Sequence, residues 1–126
     1  MTMSYTSEAD LPALTEEEFT AFRSKARAYT LMLLRAGPNF ERPDPKFESP
    51  VGRTIWAHGK RNVALHEAGL LRVVCPVSDG SGLCGIGVFD AEPDEVTRIM
   101  DADPGVVSGV FTYEVHPTRS FPGSTL

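Results

Sequence analysis

Three imidazoles and one acidic turn are the parts of this chain best suited to moving protons. His58, His66 and His116 are its histidines, and histidine is the side chain most readily set to exchange a proton near neutral pH. His66 falls among apolar helix positions, where a hydrogen-bonded structural role is the expectation. His116 stands before Pro117 at a strand end, where exposure is ordinary. His58 lies on the flank of the helix stripe with Asn62 one turn on, a position from which a ring can look into a cleft. The chain has no His-x-x-x-His pair, so no metal site is expected. Neither a G-x-S-x-G elbow nor a phosphate loop occurs, and no cofactor is expected.

The acidic turn is "DADPGVVSG", residues 101–109. Asp103 is a good helix N-cap and Pro104 suits the first helical position, which by itself accounts for the segment. The chemical alternative is that the carboxylate accepts a hydrogen bond from one ring nitrogen. That bond would fix the tautomer, leave the other nitrogen free as a base, and stabilise the imidazolium formed on proton uptake.

The chain around these residues has the make-up of one globular domain. Its 126 residues allow a single modest core. A formal charge of −5 with scattered Lys and Arg leaves no footprint for nucleic acid. The longest apolar run, "LMLL", is far short of the ~20 residues that cross a bilayer, and "MTMSYTSEAD" lacks the basic start of a leader. A cytoplasmic protein without membrane partners is the expectation. Cys75 and Cys84 read as reduced core residues on the two strands of a hairpin, with a disulfide as the other reading.

The elements that must position the histidines follow from periodicity. "TEEEF" predicts a first helix capped by Thr15 and Glu18, with Phe19 and Phe22 docking an apolar stripe, after a polar and mobile start. "AYTLMLLRA" reads as a central strand covered on both faces. The four prolines of residues 37–50 predict a loop, anchored by Phe40 and Phe47, that serves either as a flap or as a plain crossover. A helix follows from about Gly52 to Ala68, with Ile55, Trp56, Gly59, Val63 and His66 on its apolar face and Trp56 as a core anchor.

"LLRVVCPVS" and "LCGIGVF", joined by "DGSG", predict a hairpin. Symmetric pairing would put Leu71, Val73 and Cys75 on one face with Cys84, Ile86 and Val88. Pro76 marks an edge strand. Pro93 opens an amphipathic helix with Val96, Ile99 and Met100 inward, and "GVFTYEVHP" is a half-polar edge strand ended by Pro117.

Strand, helix, strand, strand, helix, strand is a ferredoxin-like βαββαβ order: an α+β fold with a four-stranded antiparallel sheet and two helices on one face. Residues 28–117 form that domain, 1–27 a helical N-terminal extension and 118–126 a C-terminal tail. The sheet face away from the helices needs cover, either from a second copy in a homodimer, a dimeric α+β barrel, or from the N-terminal helix. Gly85 and Gly87 beside Thr112, Glu114 and His116 on that face would leave room for a cavity.

Two segments, "AHGKRNVALHEAGLL" (57–71) and "DADPGVVSGVF" (101–111), resemble the signatures of the YciI-like (YCII-related) family, A-H-x-x-R…L-H-x-x-G-x-L and D-x-D-P-x-x-x-x-G-x-[FY]. The resemblance spans about residues 28–117. It implies a dimeric ferredoxin-like fold related to the muconolactone isomerases, with His58 and Asp103 as the paired active-site residues. It also implies elimination or isomerisation begun by proton transfer, as in the family's dehydrochlorinase activity on hydroxyhydroquinone-type rings. Arg61 matches the family's arginine and could bind an anionic oxygen. Ser108, near the Asp103 turn, and Trp56 complete the expected substrate-binding set.

The expectation is therefore a lyase or isomerase acting on a small cyclic or aromatic oxygenated metabolite. The alternative is a non-catalytic small-molecule-binding or assembly module that uses the same cavity or sheet face.

Overall fold

In a computed structural model that describes residues 4–120, the chain runs through a short 3-10 turn at Glu8–Asp10 and then α1 (Glu16–Ser24), β1 (Arg27–Ala36) and α2 (Pro50–Glu67). The hairpin β2 (Leu71–Pro76) and β3 (Leu83–Phe89) follows, then α3 (Pro93–Asp101), the one-turn α4 (Pro104–Val107) and β4 (Phe111–Ser120). The strands form one antiparallel sheet in the order β2-β3-β1-β4. The two strands read as apolar on both faces, β1 and β3, are the central ones. The strand carrying Pro76 lies at an edge, where a missing N–H breaks no ladder.

One sheet face carries the core. Met32 and Leu34 of β1, Leu71 of β2, Phe89 of β3 and Phe111 of β4 pack with Val96 and Met100 of α3 and with Val51, Ile55 and Leu65 of α2. Gly87 makes this possible: a Cβ there would stand 3.1 Å from the Met32 side chain and 3.2 Å from that of Leu71, so both close over bare backbone. The inward Val96 and Met100 of α3 are those the helical spacing indicated. The other face of the sheet holds the half-buried Leu31, Leu33, Ile86 and Val88.

α1 and α2 begin on side-chain caps. Thr15 accepts from Glu18 N at 3.1 Å while the Glu18 carboxylate accepts from Thr15 N at 3.0 Å, the reciprocal box that "TEEE" implies. Ser49 Oγ accepts from Gly52 N at 3.0 Å and so starts α2, which Gly69, at φ 80°, ends. Ser49→Ala is expected to lower stability by about 1 kcal/mol and Ser49→Gly by only a few tenths, measured by urea unfolding.

Several expectations are corrected. Phe19 and Phe22 do not dock as a buried stripe; they stay 46% and 50% exposed, and α1 buries no residue. The expected hairpin face holds for Val73 with Val88 and Cys75 with Ile86, but a register shift between Leu71 and Val73 takes Leu71 off it and pairs Leu71 with Phe89 on the core face. Cys75 is exposed, not in the core, and both cysteines are free; burial raises the Cys84 thiol. Pro117 does not end β4. It pairs with Thr30 on an edge strand whose outer side needs no donor, and the ladder continues to Ser120 opposite Arg27. The expected tail lies outside the described residues from 121 onward.

The largest correction concerns α2. Its buried positions are Gly52 and His58, while Trp56 and Val63 are 59% and 61% exposed and nothing stands within 4 Å of a Cβ built on Gly59. Apolar periodicity misplaced the inward face because polar residues with partners on other elements occupy it. His58 bonds Asp103, and Arg61 Nη2 donates to Ile99 O at 2.7 Å.

Candidate active site

His58 is brought to Asp103 by two local decisions of the chain. The first is the orientation of α2, which turns the imidazole inward until the residue is only 7% exposed. The second is the break between α3 and α4, where Asp103 takes an extended conformation and caps the following turn. Its Oδ2 accepts from Gly105 N at 2.9 Å and from Val106 N at 3.3 Å. The same carboxylate lies 2.9 Å, through either oxygen, from His58 Nδ1. Asp103 therefore caps a helix and orients an imidazole at once; the two readings of "DADP" are one arrangement.

Electrostatics follow from this geometry. Asp103 is fully buried, and burial alone would push its carboxyl upward. The hydrogen bond and charge of His58, joined by the amides of Gly105 and Val106, outweigh that and hold it below the usual carboxylate range. The carboxylate thus stays ionised and accepts the proton on Nδ1. In the neutral tautomer that carries its proton on Nδ1, Nε2 keeps its lone pair, and Asn62 Nδ2, 3.2 Å away, can donate to it.

Phe111 packs its ring 4.8 Å from that of His58, centroid to centroid. Gly105 is what allows the ring to sit there, since a Cβ at that position would overlap the Phe111 ring. Phe40, from the proline-rich loop, stands behind Phe111 at 6.1 Å.

Beside the pair is a cavity of about 460 Å³, within the range of small-molecule sites. The sheet contributes Met32, Leu34, Val74, Gly85 and Phe111 among others; α2 contributes Ile55, Trp56, His58, Lys60, Asn62 and Val63; Phe47 of the preceding loop also lines it. It opens on the helix side of the sheet, not on the far face where the glycines and Thr112, Glu114 and His116 were expected to make room. Gly85 and Gly87 pair with Leu34 and Met32 and share their core face. His116 is occupied on the far side, 2.8 Å from Glu114, which also accepts from Arg35 at 2.8 Å. His66 Nδ1 meets Leu71 O at 2.8 Å, the structural role expected of it.

The remaining predicted site residues divide. Trp56 lines the cavity from an exposed position and is no core anchor. Arg61 does not line it. Besides its bond to Ile99 O, its Nη1 is buried, makes no hydrogen bond and stands 3.6 Å from Asp103 Oδ1, so its charge supports the carboxylate. Ser108 is exposed and also outside the cavity wall; its hydroxyl donates to Gly105 O at 3.2 Å.

Sequence reasoning missed Asn62 as a partner of His58, although its i+4 spacing was a usable signal, and it missed the Phe111 contact, whose only signal was the aromatic closing "SGVF". Among the described residues, no three His, Cys, Asp or Glu side chains gather as a metal site would need, and no helix is long and apolar enough to cross a membrane. Comparison with protein-family models and with curated proteins returns no match.

Proposed function

We propose that this chain is a YciI-like enzyme, a lyase or isomerase in which His58 is the general base and acid and Asp103 its orienting partner. The observation that carries the reading is the buried Nδ1–carboxylate contact at 2.9 Å in the wall of an apolar cavity. The strand order β2-β3-β1-β4, with α2 and α3 against one face, supports a ferredoxin-like fold. The half-buried Leu31, Leu33, Ile86 and Val88 on the other face support a homodimer joined there.

In the proposed step, Nε2 takes a proton from a carbon or oxygen already acidified by a neighbouring carbonyl or ring hydroxyl. The electron pair left behind either expels a leaving group, giving elimination, or moves along the ring to be reprotonated elsewhere by the imidazolium, giving isomerisation. Asp103 stabilises that cation throughout. The substrate displaces the Asn62 amide from Nε2 as it enters.

Mass spectrometry of a small-metabolite extract incubated with the protein tests the reading. A cyclic oxygenated compound is expected to be consumed by wild type and spared by His58→Gln. Equal consumption by both would remove His58 from the reaction, and none by wild type would favour the non-catalytic binding module.

A further inference from the structure

The loop before α2 builds a cationic, aromatic rim on the cavity that the acid–base pair does not use. Phe47 is the only non-glycine residue with positive φ among the described residues, at 55°. A phenylalanine rarely adopts that conformation unless its surroundings impose it. Here Asp44 imposes it: its carbonyl accepts from Phe47 N at 3.0 Å, and its carboxylate accepts from Glu48 N at 2.9 Å and Ser49 N at 3.0 Å. These bonds pull its carboxyl down to about 2, the Glu48 amide contributing most.

The strained turn does not send the Phe47 ring into the core. It sets the ring 5.6 Å from that of Trp56, itself mostly exposed. A second hollow, of about 320 Å³, is lined by Lys46, Phe47, Arg53 and Trp56, and it shares Phe47 and Trp56 with the main cavity. In a chain of net charge −5 this hollow is bordered by two cations. Neither nearby acid is part of the lining: the ionised Asp44 carboxylate is turned to the backbone amides of Glu48 and Ser49, and Glu48 is exposed.

We infer that this rim binds the carboxylate of an apolar-ring acid, whose ring enters the cavity between Trp56 and the sheet. The proposal rests on the cavity being the substrate site, and it narrows the substrate class to small monocarboxylates. A long polyanion is excluded by the overall negative charge and by the size of the two hollows. Lys46 and Arg53 supply the attraction. The Phe47–Trp56 pair supplies the flat apolar walls, since exposed aromatic surface of this kind is characteristic of ligand sites. The Arg53 guanidinium is held in place by its own bond to Glu48 O at 3.0 Å, so its charge is presented at low entropic cost.

Trp56 is the single tryptophan of the chain, so its fluorescence reports on the rim directly. Titration of the whole protein with phenylacetate and with neutral phenylacetamide, at low salt, compares two probes of the same shape. Phenylacetate is expected to bind about tenfold more tightly, with the difference shrinking as salt is added. Lys46→Gln is expected to cut that preference severalfold, and Lys46→Gln with Arg53→Gln to remove it, leaving phenylacetamide affinity unchanged.

His58→Ala is expected to keep the full preference, which separates this proposal from the proton-transfer reading: loss of catalysis with retained preference leaves the rim proposal standing. Equal affinity for the two probes, absence of binding by both, or a preference that survives in the Lys46→Gln single variant and in the double variant would overturn it.

Discussion

Asp103→Ala is expected to lower folding stability by about 3–5 kcal/mol, as removal of one partner from a buried ion pair generally does. The carboxylate is fully buried and serves the His58 ring, two backbone amides and the nearby Arg61 cation, and alanine leaves all of them uncompensated. Asp103→Asn is a milder change. An amide oxygen can still accept from Gly105 N, but the amide nitrogen then faces Nδ1 and has to donate to it. That drives the ring proton onto Nε2 and removes the base. Turnover in the Asn variant is expected to fall about 10²–10⁴-fold while the protein remains folded.

Urea midpoints measured with unchanged slope check the first part. A midpoint for Asp103→Ala equal to wild type would refute it.

Acid provides a further check on the same residue. Because the folded state holds the carboxyl below its ordinary value of 3.8, the folded chain gives up the proton more readily than the unfolded one. The stabilisation is complete above that ordinary value and is lost as pH falls through the lower folded value. Wild type and Asp103→Asn should therefore differ most near neutrality and converge in acid.

Gly37→Ala is expected to be comparably severe, about 3–5 kcal/mol, for a reason unrelated to charge. A Cβ at Gly37 would overlap Gly109 O and stand 3.1 Å from the backbone carbons of Gly109 and Phe111. No side-chain rotation relieves contacts with backbone. The exit of β1 and the entry of β4 would have to part, weakening Gly37 N to Val110 O at 2.8 Å and Asn39 N to Gly109 O at 2.9 Å.

Gly105→Ala provides the comparison. Its Cβ would strike the Phe111 ring and stand 3.0 Å from Asp103 Oδ2, so the strain falls on side chains and not on the backbone of another segment. That variant should be less destabilised while moving the ring against His58, and NMR of the imidazole protons would register the shift. Equal melting temperatures for Gly37→Ala and wild type would contradict the account.

Much of the fold was legible in the sequence where the signal was local. The hairpin turn, the Thr15 box, the central character of β1 and β3 and the inward face of α3 all rest on periods or caps within a few residues. What was not legible depended on partners far along the chain. Helical spacing put His58 on the flank of α2, and only the resemblance, through "DADP", set it against Asp103, whose buried carboxylate makes its burial favourable. Trp56 looked like an anchor for the converse reason: large aromatic rings signal a core until a cavity is known to lie beside them.

The register shift after Leu71 and the left-handed Phe47 leave no mark in residue type at all. Arg61 was assigned to ligand binding from the family resemblance and Ser108 from its nearness to the Asp103 turn, yet both spend hydrogen bonds on carbonyls of the acidic turn and its flanking helix.

One carboxylate that both starts α4 and steadies the ring of α2 has an evolutionary corollary. A descendant without the proposed reaction would still be selected to keep Asp103, because its loss strands an imidazole and two amides inside the protein. Drift toward a new chemistry should then appear first at the rim and the cavity walls, with the buried acid changing last.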